Sequence, residues 1–171
     1  MSLVFKRCEL KDLDLLIKIS KDTFIAAFES ANDPKDFYTY INDAFSETSI
    51  TRQLLNSNCL FYFIYHENIL IAYVKLNENE AQNEQFESPS IELERIYVLP
   101  EFIGQGYGNK ILNKIKSICL AKKVDFLWLG VWENNTDAIR FYERHGFKKF
   151  GEHPYYLGKD KQTDWLMKFE F

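Results

Sequence analysis

Three alternating glycines, Gly104, Gly106 and Gly108, lie between an apolar run that ends at Val98 and a long helical pattern. Glycines let a backbone approach an anion closely and turn several N–H groups toward it. A helix start adds its own free N–H groups and a partial positive charge. The stretch Ile103-Gly104-Gln105-Gly106-Tyr107-Gly108-Asn109 is therefore suited to cradling a phosphate. Two phosphate motifs are excluded. A Walker loop ends in Gly-Lys-Ser/Thr, and the spacing G-x-G-x-x-G needs glycine at position 109, where Asn109 stands. A glycine-rich turn with no ligand is the plainer alternative for this segment taken alone. Just upstream, Glu92 and Glu94 lie two residues apart on the strand-like run. They share one face unless a bulge intervenes, and paired carboxylates suit proton removal.

The elements that must position these residues follow from periodicity. Val4–Glu9 reads as a strand, and a helix follows from about Asp12 to Phe28, where Leu13, Leu16, Ile17, Phe24, Ala27 and Phe28 recur at helical spacing. Asn32-Asp33-Pro34 breaks it, because a residue before proline avoids helical angles. Further helices are predicted over Lys35–Ala44 and from an N-cap at Ser46 through Leu55. Cys59–Tyr65 and Ile69–Leu76 form a hairpin around His66-Glu67-Asn68. The polar stretch 77–90 reads as a loop, and Ile91–Val98 as a strand. The helix after the glycine turn runs to about Lys122, with Ile111, Leu112, Ile115, Ile118 and Cys119 on one face. The short apolar run Phe126–Val131 is a strand buried on both sides. Thr136–His145 is a helix closed by Gly146. Phe150–Leu157 and Asp164–Phe169 are closing strands. Mixed strands and helices without repeat or linker predict one domain over residues 1–171, of α+β or α/β class with one central sheet.

About 25 residues beyond the turn comes a second pattern: the strand Leu129-Gly130-Val131-Trp132, then Asn135-Thr136-Asp137-Ala138-Ile139-Arg140-Phe141-Tyr142 and Gly146-Phe147. The two patterns, in this order and spacing, resemble the signatures of GNAT-superfamily N-acetyltransferases. The glycine turn matches their pyrophosphate loop, Gln/Arg-x-x-Gly-x-Gly/Ala, except that Ile103 replaces the usual polar residue. The resemblance implies a mixed, mostly antiparallel sheet of about seven strands with helices on both faces, an α/β sandwich. Strands 91–98 and 126–131 are then parallel neighbours that splay apart at one end. It implies acetyl-CoA as co-substrate, with pantetheine between these strands against Ile96, Tyr97 and Val98, and pyrophosphate on residues 103–109. Asn135 then lies beside the cofactor, the Tyr142 hydroxyl near the departing sulfur, and Arg144 within reach of a phosphate.

Acyl transfer to an amine needs a neutral nucleophile, a donor to the developing oxyanion and a proton for the thiolate. An alkylamine of pKa about 10 is mostly protonated at neutral pH, so a carboxylate acting directly or through water assists. Glu92 and Glu94 are both candidates, and their spacing does not choose between them. An N–H near Ile96 suits the oxyanion. Tyr142, protonated at neutral pH, suits the thiolate.

Further segments, including Tyr73-Val74-Lys75-Leu76-Asn77 and Gly151-Glu152-His153, make the chain similar to the bacterial spermidine/spermine acetyltransferase (PaiA-type) branch. That resemblance implies a polyamine acceptor. Six glutamates between residues 78 and 94, with no Lys or Arg among them, would attract a polycation. Glu29, Asp33, His153 and Tyr155 are candidate acceptor contacts. Two other readings remain open: acetylation of a protein or antibiotic amine, and a non-catalytic acetyl-CoA-binding regulatory module.

The net charge of −4, with no basic arm, argues against nucleic acid. Cys8, Cys59 and Cys119 form no disulfide framework, and His66, His145 and His153 lack metal-ligand spacing, so no metal is expected. With no signal peptide or long apolar run, the expectation is a cytoplasmic enzyme acting on a small-molecule amine, without a membrane partner, as monomer or homodimer.

Overall fold

The computed structural model describes residues 2–171. One seven-stranded sheet organises them: β1 (Val4–Arg7), β2 (Cys59–His66), β3 (Ile69–Glu78), β4 (Ser90–Val98), β5 (Phe126–Trp132), β6 (Lys148–Leu157) and β7 (Asp160–Glu170). Their spatial order is β1-β2-β3-β4-β5-β7-β6. Every neighbouring pair is antiparallel except β4–β5. This is the mixed sheet that the two motifs predict.

Five helices cover the sheet: α1 (Leu13–Phe28), α2 (Pro34–Ala44), α3 (Glu47–Leu55), α4 (Tyr107–Ala121) and α5 (Thr136–Arg144). In α1, Leu16, Ile19, Thr23 and Phe24 fall on one buried stripe at helical spacing. They join Phe37 and Ile41 of α2 and Ile50 of α3 in a core against Phe61, Phe63 and Tyr73 of the sheet. On the opposite face, Ile111, Leu112, Ile115 and Cys119 of α4 and Ile139 of α5 pack on Ile64, Val74 and Leu127. All three cysteines are buried and free.

Local chemistry sets the boundaries. Asp33 caps α2 by accepting from the N–H groups of Lys35 and Asp36. Ser46 caps α3 by accepting from Ser49. Between β2 and β3, Glu67 and Asn68 both take positive φ (49° and 66°), as a two-residue hairpin turn requires. The closing hairpin extends further than its apolar residues suggest, because Lys148–Lys149 and Asp160–Lys161 also join the ladder.

The feature that matters for function is where β4 and β5 part. They pair only at Ser90–Phe126, Ile91–Leu127 and Glu92–Trp128. Beyond Glu92, β4 keeps β3 on one side and has no ladder partner on the other.

Candidate active site

At that parting, β4 carries a bulge. Lys75 of β3 faces Arg95, but Leu76 faces Leu93, so Glu94 is an extra residue. The bulge shifts the alternation. Ile91 and Leu93, then Ile96 and Val98, face the α4–α5 core, while Tyr97 joins the α1–α3 core and the Arg95 guanidinium lies 4.6 Å over the Phe45 ring. Glu92 and Glu94 still converge: Asn77 Nδ2 donates to Glu92 Oε2 at 3.0 Å and to Glu94 Oε2 at 2.6 Å.

The two carboxylates have opposite characters. Glu94 pairs with the Lys75 ammonium and lies 3.6 Å from Arg95 Nη2. Burial opposes its ionisation, but these two cations and the donors Lys75 and Asn77 outweigh burial and hold its pKa at about 2. Glu92 has no such cation. Burial, then the neighbouring Glu94 charge, raises its pKa against hydrogen bonds from Asn83 and Asn77.

Glu92 also anchors the segment before β4. The Asn83 N–H donates to Glu92 Oε2 at 2.8 Å, and Asn83 Nδ2 to Oε1 at 2.7 Å. Gln82 Oε1 accepts from Trp128 Nε1 (2.7 Å) and Ser90 Oγ (3.0 Å). A polar stretch expected to be a loop is thus fastened to the sheet. The glutamates within and around it do not form one acidic field. Glu78 pairs with Lys122 (2.7 Å), Glu80 accepts from Asn58 (2.6 Å), and Glu94 is neutralised as above.

A cavity of about 610 Å³ opens where the strands part. It is lined by Ile96, Asn135, Ala138 and Tyr142, by the aromatic residues Phe24, Phe28, Tyr40, Tyr97 and Tyr155, and by Glu84, His153 and Asp164, the last two beside Gly130, two residues past the final β4–β5 pair. Burial raises the pKa of the Tyr142 phenol, which keeps it protonated. Asn135 Oδ1 caps α5 by accepting from the Ala138 N–H at 3.3 Å, leaving the Asn135 amide group free to donate elsewhere. His153 Nδ1 lies 2.9 Å from Glu84 Oε1, and its Nε2 is 3.8 Å from Asp164 Oδ2, an ion-pair distance.

The glycine turn lies outside this cavity, at the start of α4. Gly104 and Gly106 have φ of 80° and 78°, and a Cβ on either would meet nothing within 4 Å. Backbone conformation, not crowding, is what demands glycine there. A Cβ on Gly108 would rest 3.6 Å from the Phe141 ring, an ordinary van der Waals contact, so neither space nor conformation demands glycine there. Gln105 turns back to donate to the Glu101 carbonyl at 2.9 Å. The Tyr107 hydroxyl lies 3.2 Å from His66 Nδ1, and Asn109 Oδ1 lies 2.9 Å from His145 Nε2. Ile103 is 66% exposed.

The acetyltransferase (GNAT) family profile matches residues 16–147, from α1 to the end of α5. The chain belongs to the GNAT acetyltransferases. It is 34% identical over 158 residues to an uncharacterized N-acetyltransferase of Lactobacillus delbrueckii subsp. lactis, covering 92% of this chain and 91% of that one. It is 22% identical over 154 residues to a spermidine N(1)-acetyltransferase of Thermoplasma acidophilum, covering 86% and 89%. The fold matches the crystal structure of the PaiA N-acetyltransferase of Thermoplasma acidophilum in complex with coenzyme A, with a TM-score of 0.78 over the whole of both chains at 19% identity.

Within this GNAT acetyltransferase, Glu92, Glu94, Ile96, Tyr97, Asn135, Tyr142, His153 and Tyr155 line the cavity where β4 and β5 part, while Val98 and the 103–109 turn lie outside it. Glu29 and Asp33 are absent from the cavity wall. The Glu29 carboxylate accepts from the Tyr38 hydroxyl, and Asp33 is occupied as the α2 cap. Arg144 is exposed in the last turn of α5. Sequence reasoning missed Asn77, Asn83, Lys75 and Asp164. A Lys and an Asn two apart on β3, opposite two glutamates, was the available signal for the first and third. Nothing local marks Asn83 or Asp164. No helix among the described residues is long and apolar enough to cross a membrane.

Proposed function

We propose that this protein, as one acetyltransferase domain over residues 1–171, moves the acetyl group of acetyl-CoA to a primary amine of a small polyamine. The observation that carries the reading is the cavity itself. It brings the parted strands, the Tyr142 phenol, an aromatic wall and the carboxylates of Glu84 and Asp164 around one space. A thioester entering from one side and an extended polycation from the other would meet beside β4. The spermidine-acetylating relative supports the same substrate class.

The residues fit the coenzyme. The unpartnered outer half of β4, at Ile96, Tyr97 and Val98, offers backbone groups to an amide-bearing chain, and Gly104 and Gly106 turn a glycine-rich backbone toward solvent at a helix start. When bound, acetyl-CoA supplies an activated acyl group on a thiol leaving group. The chain's own residues do the rest. The Asn135 amide positions the coenzyme arm. A β4 N–H at Ile96 donates to the thioester oxygen as charge develops. Tyr142 gives its proton to the departing thiolate.

Glu92, not Glu94, is the base. A carboxylate has about four lone-pair sites, and Glu92 uses three on Asn77 and Asn83, leaving one for a water that relays the amine proton. Its raised pKa makes it the stronger base of the two. Glu94, held at about 2 by its cations, is a poor one.

The test is thiol release from acetyl-CoA with spermidine, spermine, simple diamines, a lysine peptide and an aminoglycoside, with Tyr142→Phe alongside. Release that favours spermidine and falls by about 100-fold in the variant is expected. Release with the peptide or the drug alone would reject the polyamine reading while keeping the enzyme class.

A further inference from the structure

One wall of the cavity holds a cation of its own. His153, on β6, sits between Glu84 from the segment before β4 and Asp164 from β7. Its Nδ1 is within hydrogen-bond distance of Glu84, a group that only accepts, so Nδ1 carries the proton, and the Asp164 charge 3.8 Å from Nε2 favours the imidazolium. The geometry is tight on the β5 side as well. A Cβ on Gly130 would come within 3.3 Å of Asp164 Oδ2 and 3.4 Å of His153 Nε2. Of the six glutamates between residues 78 and 94, Glu84, Glu92 and Glu94 line the cavity, and Glu84 is the one within hydrogen-bond distance of His153.

We infer that His153 is a placeholder cation: the second ammonium of the acceptor docks between Glu84 and Asp164, in competition with the protonated imidazole. This deepens the polyamine reading above and rests on it. With the imidazole protonated, the trio carries a net charge of −1, and a further positive charge gains little there. With the imidazole neutral the trio carries −2, and a diamine or polyamine binds with an ion pair that a monoamine cannot make. The groups facing His153 are Glu84 and Asp164, with Glu92 further along the same wall; β5 contributes Gly130, which has no side chain. Asp164, opposed by burial and joined by Glu84, raises the imidazole above its ordinary range. The exchange therefore falls above the ordinary imidazole range.

The prediction concerns selectivity, not overall rate. The preference for spermidine over a monoamine of matched length, as the ratio of kcat/KM values, rises with pH through the imidazole transition. The expected rise is about fivefold, the size of one partly exposed ion pair. In His153→Gln the ratio is high and independent of pH. In His153→Lys, whose cation does not leave, it stays low throughout. Base titration and proton donation act on both amines alike and cancel in the ratio, and ionisation of the substrates is the same for all enzymes compared.

A second substitution, Glu84→Gln, lowers the ratio at high pH about fivefold, and because Glu84 also supports the imidazolium, the pH transition moves downward with it. Turnover of both amines with a ratio that has the same pH slope in wild type and His153→Gln would overturn the subsite and leave the polyamine reading standing. A ratio near one at every pH would do the same. No thiol release with any amine would overturn both.

Discussion

The two ends of the cleft are built in different ways. The proposed coenzyme end uses contiguous sequence: a glycine turn entering α4, and an asparagine cap at the last residue of the link between β5 and α5. Its chemistry lies largely in backbone N–H groups. The acceptor end is assembled from side chains of α1, α2, the 79–90 segment, β4, β6 and β7. The first kind of site is fixed by local conformation and survives changes of neighbouring side chains. The second changes whenever one of several distant residues changes, so enzymes sharing a coenzyme end can diverge in acceptor.

The largest expected effect lies between the two ends. In Glu94→Gln, Lys75 (6% exposed) and Arg95 lose their counter-charge, at a cost of about 3–5 kcal/mol in denaturant unfolding. The sign with pH is testable too. The folded-state pKa of Glu94 lies below the ordinary carboxylate range, so wild-type stability from this pair is full above that range and is lost as pH falls toward 2. The variant's stability is correspondingly flatter in acid.

Next in size is Glu92→Gln. It lowers kcat by about 100-fold with any amine, while coenzyme affinity, read by titration, stays within about twofold. Wild-type activity rises with pH as Glu92 loses its proton, and this limb disappears in the variant. An equal loss in Glu94→Gln, after correction for the folded fraction, would reverse the assignment of the base.

Gly106→Ala isolates the coenzyme end. The new Cβ meets no atom, so the penalty is the left-handed conformation, about 1–2 kcal/mol. Coenzyme affinity should fall about tenfold by calorimetry with the KM for amine unchanged. The smallest effect is a gain. Ile103→Arg places a cation on an exposed side chain beside the turn and should tighten coenzyme binding by about two- to fivefold, less at high salt.

The contrast between the ends also explains what the sequence disclosed. Gly104, Gly106, Asn135 and Tyr142 were legible because their spacing along the chain is the geometry. The cap at Ser46 and the hairpin turn at Glu67-Asn68 were legible for the same reason. The bulge at Glu94 was not, since it is a relation between β3 and β4 that neither strand states alone. Asn83 on Glu92 and Gln82 on Trp128 bridge 9 and 46 residues, and a polar stretch gives no sign of which groups it will meet. The acidic run misled in a related way, because charge counted along the chain ignores the cations folded against it. Asp33 showed the opposite error: a carboxylate before Pro34 had a capping role close at hand.

The parting of β4 from β5 has one more consequence, for how the protein survives without its ligand. From Leu93 to Val98, β4 is an edge strand in the middle of a sheet, and bare edges invite pairing with other chains. Helices α1 and α5 and the β6–β7 hairpin stand around that edge, shielding it from a neighbouring molecule while leaving room for a slender guest. A coenzyme arm bound along that edge would act, in folding terms, as the missing strand, and would then add to the protein's stability by mass action.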